Sequence, residues 1–184
     1  SGQALAAGET GTLIVKGDGL ASSDSSKPNS VYALQMFSAE VNGDSIGYTL
    51  NEQFETFFQN KVGSCSGKDG VALSEEAYTY VAALGESDGA NVTTFAEMAA
   101  DYVVDNWGSF SSGLKTATVA AGENGEKDTA TFTGLEFGYY LVLPFGSSNT
   151  TRGTYAILDS VLSADPATEI DLKSEYPTVD KTII

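Results

Sequence analysis

Residues 31–58 read VYALQMFSAEVNGDSIGYTLNEQFETFF, and the fold turns on how this stretch changes period. VYALQMFSAEV is rich in aromatic and β-branched side chains and reads as a strand. The NGD that follows is a hairpin signal, and SIGYTL is the returning strand. Then the spacing changes. Phe54, Phe57 and Phe58 recur at helical intervals behind Asn51, whose side chain can cap a helix.

Working outward, GETGTLIVKGDG (residues 8–19) is a glycine-bounded run of Thr, Val and Ile, a first strand, and ASSDSSKPN (21–29) is a turn or short loop. These three strands form an expected β-meander. Downstream, LSEEAYTYVAALG (73–85) starts on Ser74 as cap, carries Glu75 and Glu76 in its first turn and stops at a glycine. NVTTFAEMAADYVVDNWG (91–108) places Phe95, Met98, Ala99, Tyr102 and Val103 on one helical face, with Thr94 and Glu97 as a capping box. The last third returns to strands. Residues 113–146 alternate Thr with Val, Ala and Phe around an NGEK turn, and 153–177 supply two more strands around ADPAT. The expected fold is mainly β: a β-sandwich with a short α-helical insertion, about residues 51–108, at one edge.

Composition narrows the function. The 184 residues carry 9 Lys+Arg against 25 Asp+Glu, a net charge of -16. Nucleic acid and anionic membrane surfaces both need basic patches, so neither is an expected partner. No apolar run is long enough to cross a bilayer. There is no His, which removes Ser-His-Asp triads and most zinc sites. The single Cys65, in GSCSGKDG, has no partner for a disulfide and no His to act as its base. An enzyme is not expected, nor is a cofactor. Asp18, Asp24 and Asp44 lie in loops without the spacing of a calcium loop. Trp107, near Tyr102 and Phe110, reads as core before it reads as a sugar platform. The pairs Glu52/Glu55 and Glu75/Glu76 read as helix-surface charges rather than a glycosidase couple.

The order of GTLIVKG, residues 31–58, TATFTGLEFGYYLV and the ending EIDLKSEYPTVDKTI resembles the N-terminal domain of the major (shaft or backbone) pilins of Gram-positive, sortase-assembled pili. The resemblance covers almost the whole chain. It implies an Ig-like, Cna protein B-type β-sandwich over residues 10–175, a flexible N-terminus over 1–9, and a linker with the first strand of a following domain over 176–184. It implies a structural role in a covalent, cell-wall-anchored extracellular pilus. The partners would be other pilin subunits and a pilin-class sortase.

The implied chemistry is that of lysine amides. In this family a lysine at the end of the N-terminal domain attacks the thioester that the sortase forms with the next subunit. Ile170, Asp171, Leu172 and Lys173 supply an apolar-x-apolar strand and then a lysine, so Lys173 is the linkage candidate. The Tyr-Pro pair that should precede it is absent; Tyr176-Pro177 comes later and is followed by Thr178. Lys181 matches the first-strand lysine that forms an internal isopeptide in a following domain. Within this domain Lys16 stands where such a donor would be, with Asn149 and Asp159 as available partners. The family's catalytic acid is missing, Leu143 standing roughly in its place, so this internal bond is not expected. The alternative is a surface adhesin module that binds a host glycan or matrix protein.

Overall fold

A computed structural model of the chain describes residues 9–21, 30–42, 44–85, 89–144, 157–161 and 168–171. Asn149, Lys173, Lys181, the whole 176–184 segment and most of the ADPAT turn lie outside them.

The strands are β1 (Thr10–Gly17), β2 (Tyr32–Asn42), β3 (Ser45–Leu50), β4 (Lys115–Thr116), β5 (Thr118–Ala120), β6 (Asp128–Glu136), β7 (Gly138–Leu143), β8 (Ile157–Val161) and β9 (Thr168–Asp171). Between β3 and β4 run the helices α1 (Glu55–Lys61), α2 (Gly70–Gly85), α3 (Gly89–Asp105) and α4 (Trp107–Phe110). One sheet has the order β5-β6-β1-β9; the other is β3-β2-β7-β8, with β4 also pairing β2. Pairing is antiparallel throughout except for β9, which runs parallel to β1.

The architecture is mixed α and β. This corrects the expectation of a mainly β chain with a short insertion, because the helices form a layer of their own. The central strands of the second sheet, β2 and β7, are apolar on both faces. Ala33, Tyr140 and Val142 join Leu13 and Val15 of β1 and Phe132 of β6 in a core between the sheets. Leu34, Phe37, Leu141 and Leu143 face the other way and pack with Phe57, Phe58, Leu73 and Phe95 of the helices. Each buried large apolar side chain contributes about 1.5–3 kcal/mol, so the helix-side core is a principal source of stability.

Irregularities in the ladder serve this double burial. Between Gln35 and Phe37 the register of β2 on β7 slips by one residue. The bulged Met36 and its neighbour Phe37 therefore both enter the helix-side core, where strict alternation would separate them. A second slip lies between Gly11 and Leu13 of β1 opposite β6, where Gly134 takes a left-handed φ of 70°. Asn124 (φ 56°) and Gly125 (φ 84°) make the NGEK turn with both central residues left-handed, as expected for a tight hairpin.

Three local expectations are corrected. β1 does not form a meander with β2 and β3; it sits in the other sheet between β6 and β9. Ser74 is not a cap: the Leu73 N–H already donates to Asp69 O at 3.0 Å, so α2 is under way before it. Thr94 and Glu97 lie inside α3, which begins at Gly89. In both helices the residues that could cap lie inside the first turns. The face of Phe95, Ala99 and Val103 is buried as expected, and Asn51 does cap, its Oδ1 accepting from the Gln53 N–H at 2.9 Å.

Gly138 packs against the β2 bulge so closely that a Cβ there would overlap the Phe37 carbonyl. Gly138→Ala should cost about 1–3 kcal/mol, by the usual magnitude of overpacking. Thermal unfolding followed by circular dichroism should show a midpoint lowered by about 2–4 °C per kcal/mol.

Candidate functional site

The structure brings one set of polar and aromatic side chains together around an open space. A groove of about 850 Å³ runs between β3 and the helices, lined by Ile46, Gly47, Tyr48, Thr49 and Leu50 on one side and by Gly70, Val71, Ser74, Glu75, Tyr78 and Thr79 of α2 on the other. Glu52 and Glu55 close one part of it.

Its walls follow from the helix period. α2 buries Leu73, Ala77 and Val81 beneath it. The adjoining stripe Val71, Glu75, Tyr78 and Thr79, at spacings of three and four, falls on the groove side. Tyr78 stacks on Tyr48 with ring centroids 4.0 Å apart and planes 10° apart. Both rings sit on Tyr139, and Tyr78 also meets Phe37 edge-on at 5.8 Å. Burial raises the Tyr48 phenol above its ordinary range, and its hydrogen bond with Tyr78 adds to the rise. The Tyr48 phenol is therefore a neutral donor and acceptor at physiological pH.

Ser74 joins the two walls. The Leu50 N–H at the end of β3 donates to its buried Oγ at 2.9 Å. Asn51 fixes the neighbouring turn, its Nδ2 donating to Gln35 O at 2.9 Å. Behind α2, Lys68 pairs with Glu76 at 2.9 Å, and this bond holds the Glu76 carboxyl below its usual range. Glu76 therefore faces away from Glu75. The two were read as one pair from the sequence, but Glu75 lines the groove with Glu52 and Glu55 while Glu76 does not. The groove itself corrects the expectation that these carboxylates lie on plain helix surface. Every charged side chain that lines it is acidic. Among the described residues, no group of three His, Cys, Asp or Glu is placed to hold a metal ion.

Of the residues singled out for isopeptide chemistry, Lys16 and Asp159 lie among the described ones. Lys16 lies on β1, half-buried, on the face opposite Leu13 and Val15. Its register partners are Thr129 of β6 and Asp171 of β9. Asp159 belongs to β8 in the other sheet, in register with Tyr140. Lys16 and Asp159 thus stand on strands of different sheets. Asn149, Lys173 and Lys181 lie outside the described residues. Leu143, standing roughly where the family's acid would be, is fully buried in the helix-side core. Glu136 ends β6 exposed, its carbonyl accepting from the Tyr140 hydroxyl at 2.7 Å.

Two other residues differ in burial, and the exposure of Trp107 corrects its reading as core. Trp107 is 39% exposed and meets Tyr32 edge-on at 5.9 Å, while Phe110 turns into the helix-side core. They present no shared aromatic face. Cys65 is buried, and burial, with the nearby Glu76 carboxylate, raises its thiol pKa. A protonated, enclosed thiol is a poor nucleophile.

The sequence reading missed Tyr48, Tyr78 and the joining role of Ser74. Tyr48 and Tyr78 are thirty residues apart on elements of different period, and nothing local pairs them. The chain matches no family model, and no curated protein sequence matches it.

Ser74→Ala should cost about 1–3 kcal/mol, because it leaves the Leu50 N–H buried without an acceptor; urea unfolding of the two proteins measures it. A second expectation concerns alkaline pH. The folded Cys65 thiol holds its proton more tightly than the unfolded one. Stability should therefore fall as pH rises past about 8.5, the ordinary thiol value. Cys65→Ala should remove that part of the decline, leaving only the loss above about pH 10 where unfolded tyrosines ionise. Denaturant midpoints from pH 7 to 10.5 test both parts.

Proposed function

We propose that the chain is the N-terminal structural domain of a shaft subunit in a covalently polymerised pilus on a Gram-positive cell surface. On this reading the two sheets are an elaborated Ig-like, Cna protein B-type β-sandwich, with the helices added as an outer layer. Lys173 is the lysine that a pilin-class sortase joins to the sorting signal of the next subunit.

The observation that supports this reading is the parallel pairing of β9 on β1. β9 ends at Asp171, and Lys173 follows two residues later. A linkage lysine needs to stand where the chain leaves a rigid domain, because the sortase must reach both the amine and the thioester. The strand before Lys173 is braced along the first strand of the domain, which gives such an exit a firm base. The attacking amine must be neutral, so a base has to take its proton as the amide forms and the sortase thiolate leaves. The sortase supplies that base on this reading. Lys181 belongs, by the same reading, to the isopeptide chemistry of a following domain. Lys16 is a strand lysine, and its distance in topology from Asp159 supports the view that this pair is not linked.

A binding module is the second reading, favoured by one observation: the groove beside β3 with its stacked Tyr48 and Tyr78 and its carboxylates. An adhesin would use such a surface and would have no need of Lys173.

Cell-wall digests of the producing bacterium separate the two. A shaft subunit should run as a ladder of high-mass species in denaturing gels, and Lys173→Arg should collapse the ladder to monomer. Tandem mass spectrometry should find Lys173 joined through its side chain to the threonine of a sorting signal. A ladder unchanged by Lys173→Arg would remove Lys173 from the linkage, and monomer alone in the wild type would favour the adhesin.

A further inference from the structure

The groove beside β3 has a backbone component that its side chains conceal. Among the described residues β3 is an edge strand, paired only with β2. In an antiparallel ladder, residues alternately turn their N–H and C=O groups toward the partner strand and away from it. The Asn51 N–H donates to Met36 O at 2.8 Å, which sets the phase. Thr49 and Gly47 then bond with β2, opposite Ser38 and Glu40, while Leu50, Tyr48 and Ile46 direct their backbone groups outward. The Leu50 N–H is taken by Ser74. Those of Ile46 and Tyr48 open into the groove, and no described residue of the chain bonds to them.

Exposed edges invite further strands, and proteins ordinarily blunt them with lysines, prolines or bulges. β3 has none of these: its sequence is SIGYTL and its register on β2 is unbroken from Leu50 to Ser45. Ile46 is 42% exposed and Val71, across the groove, 75%. The carboxylates of Glu52, Glu55 and Glu75 are the only charges among the lining residues.

We propose that this groove is a strand-addition site for an extended, cationic peptide segment of another protein. The segment pairs its backbone with Ile46 and Tyr48, lays apolar side chains over Ile46 and Val71, and meets the three carboxylates with Lys or Arg side chains. Strand addition takes affinity from main-chain bonds and specificity from alternate side chains. The acidic lining selects the charge of the partner. It also disfavours a second copy of this chain, since each copy carries a net charge of -16. The proposal stands apart from the polymerisation chemistry and does not depend on it.

The test is selection of a seven-residue peptide library on the folded protein, followed by fluorescence anisotropy with the enriched peptide labelled with fluorescein. Enriched sequences should carry Lys or Arg at alternate positions and lack internal Pro. Ile46→Pro removes the outward N–H of Ile46 without removing a β2–β3 ladder bond, so the variant should stay folded by circular dichroism and bind at least ten-fold more weakly. Glu75→Lys is the second variant and should weaken binding at least three-fold, an effect that shrinks in 0.5 M salt. Amide resonances of Ile46 and Tyr48 should shift on titration with the wild type. Failure to enrich cationic peptides, or binding indifferent to both variants, overturns the proposal. So does a concentration-dependent dimer that Ile46→Pro abolishes, which makes the occupant a second copy. Binding on a glycan array that Tyr48→Ala abolishes and Ile46→Pro spares would assign the groove to sugar and likewise overturn it.

Discussion

Burial of the central sheet on both faces is the constraint from which the rest of the structure follows. β2 and β7 contribute side chains to the core between the sheets and, at the next residue, to the core beneath the helices. Neither face can meet water without exposing large apolar area, so the helical segment has to fold back over the sheet. The bulge at Met36 is the local adjustment that lets two consecutive side chains point the same way. Gly138 is the corresponding concession on β7, a residue with no Cβ beside the displaced Phe37 carbonyl.

The same constraint creates the groove. α2 is held over β3 by Leu73, Ala77 and Val81 beneath and by the Ser74 bond to Leu50 at one end. That bond takes the outward N–H of Leu50 at the end of the strand, while the outward backbone groups of Ile46 and Tyr48 have no such partner among the described residues. The stacked Tyr48 and Tyr78 keep the separation, with Tyr139 and Phe37 under them. The groove is thus a by-product of packing that is suited to recognition: rigid aromatic walls, free backbone groups and one sign of charge.

The structural and binding readings draw on different parts of the molecule. The polymerisation reading concerns the strand pair β1 and β9 and the residues after it. The groove lies on the far sheet, beyond β2. A shaft domain with both would keep its covalent chemistry and its recognition surface on separate sheets.

Much was legible locally. The hairpin of β2 and β3, the NGEK turn, the Asn51 cap and the buried face of α3 each depend on neighbours within a few residues. What the chain pattern could not carry was which strand lies beside which. The run TLIVKG is equally consistent with pairing to β2 or to β6, since a strand's period names its faces and not its neighbours. The helix starts were misplaced because Ser74 and Thr94 are good caps in isolation, yet each lies inside its helix, and the Ser74 hydroxyl is taken up instead by the Leu50 N–H of a distant strand. Asp171 came opposite Lys16, and Tyr48 against Tyr78, through pairings between residues far apart in the chain, which no local period encodes.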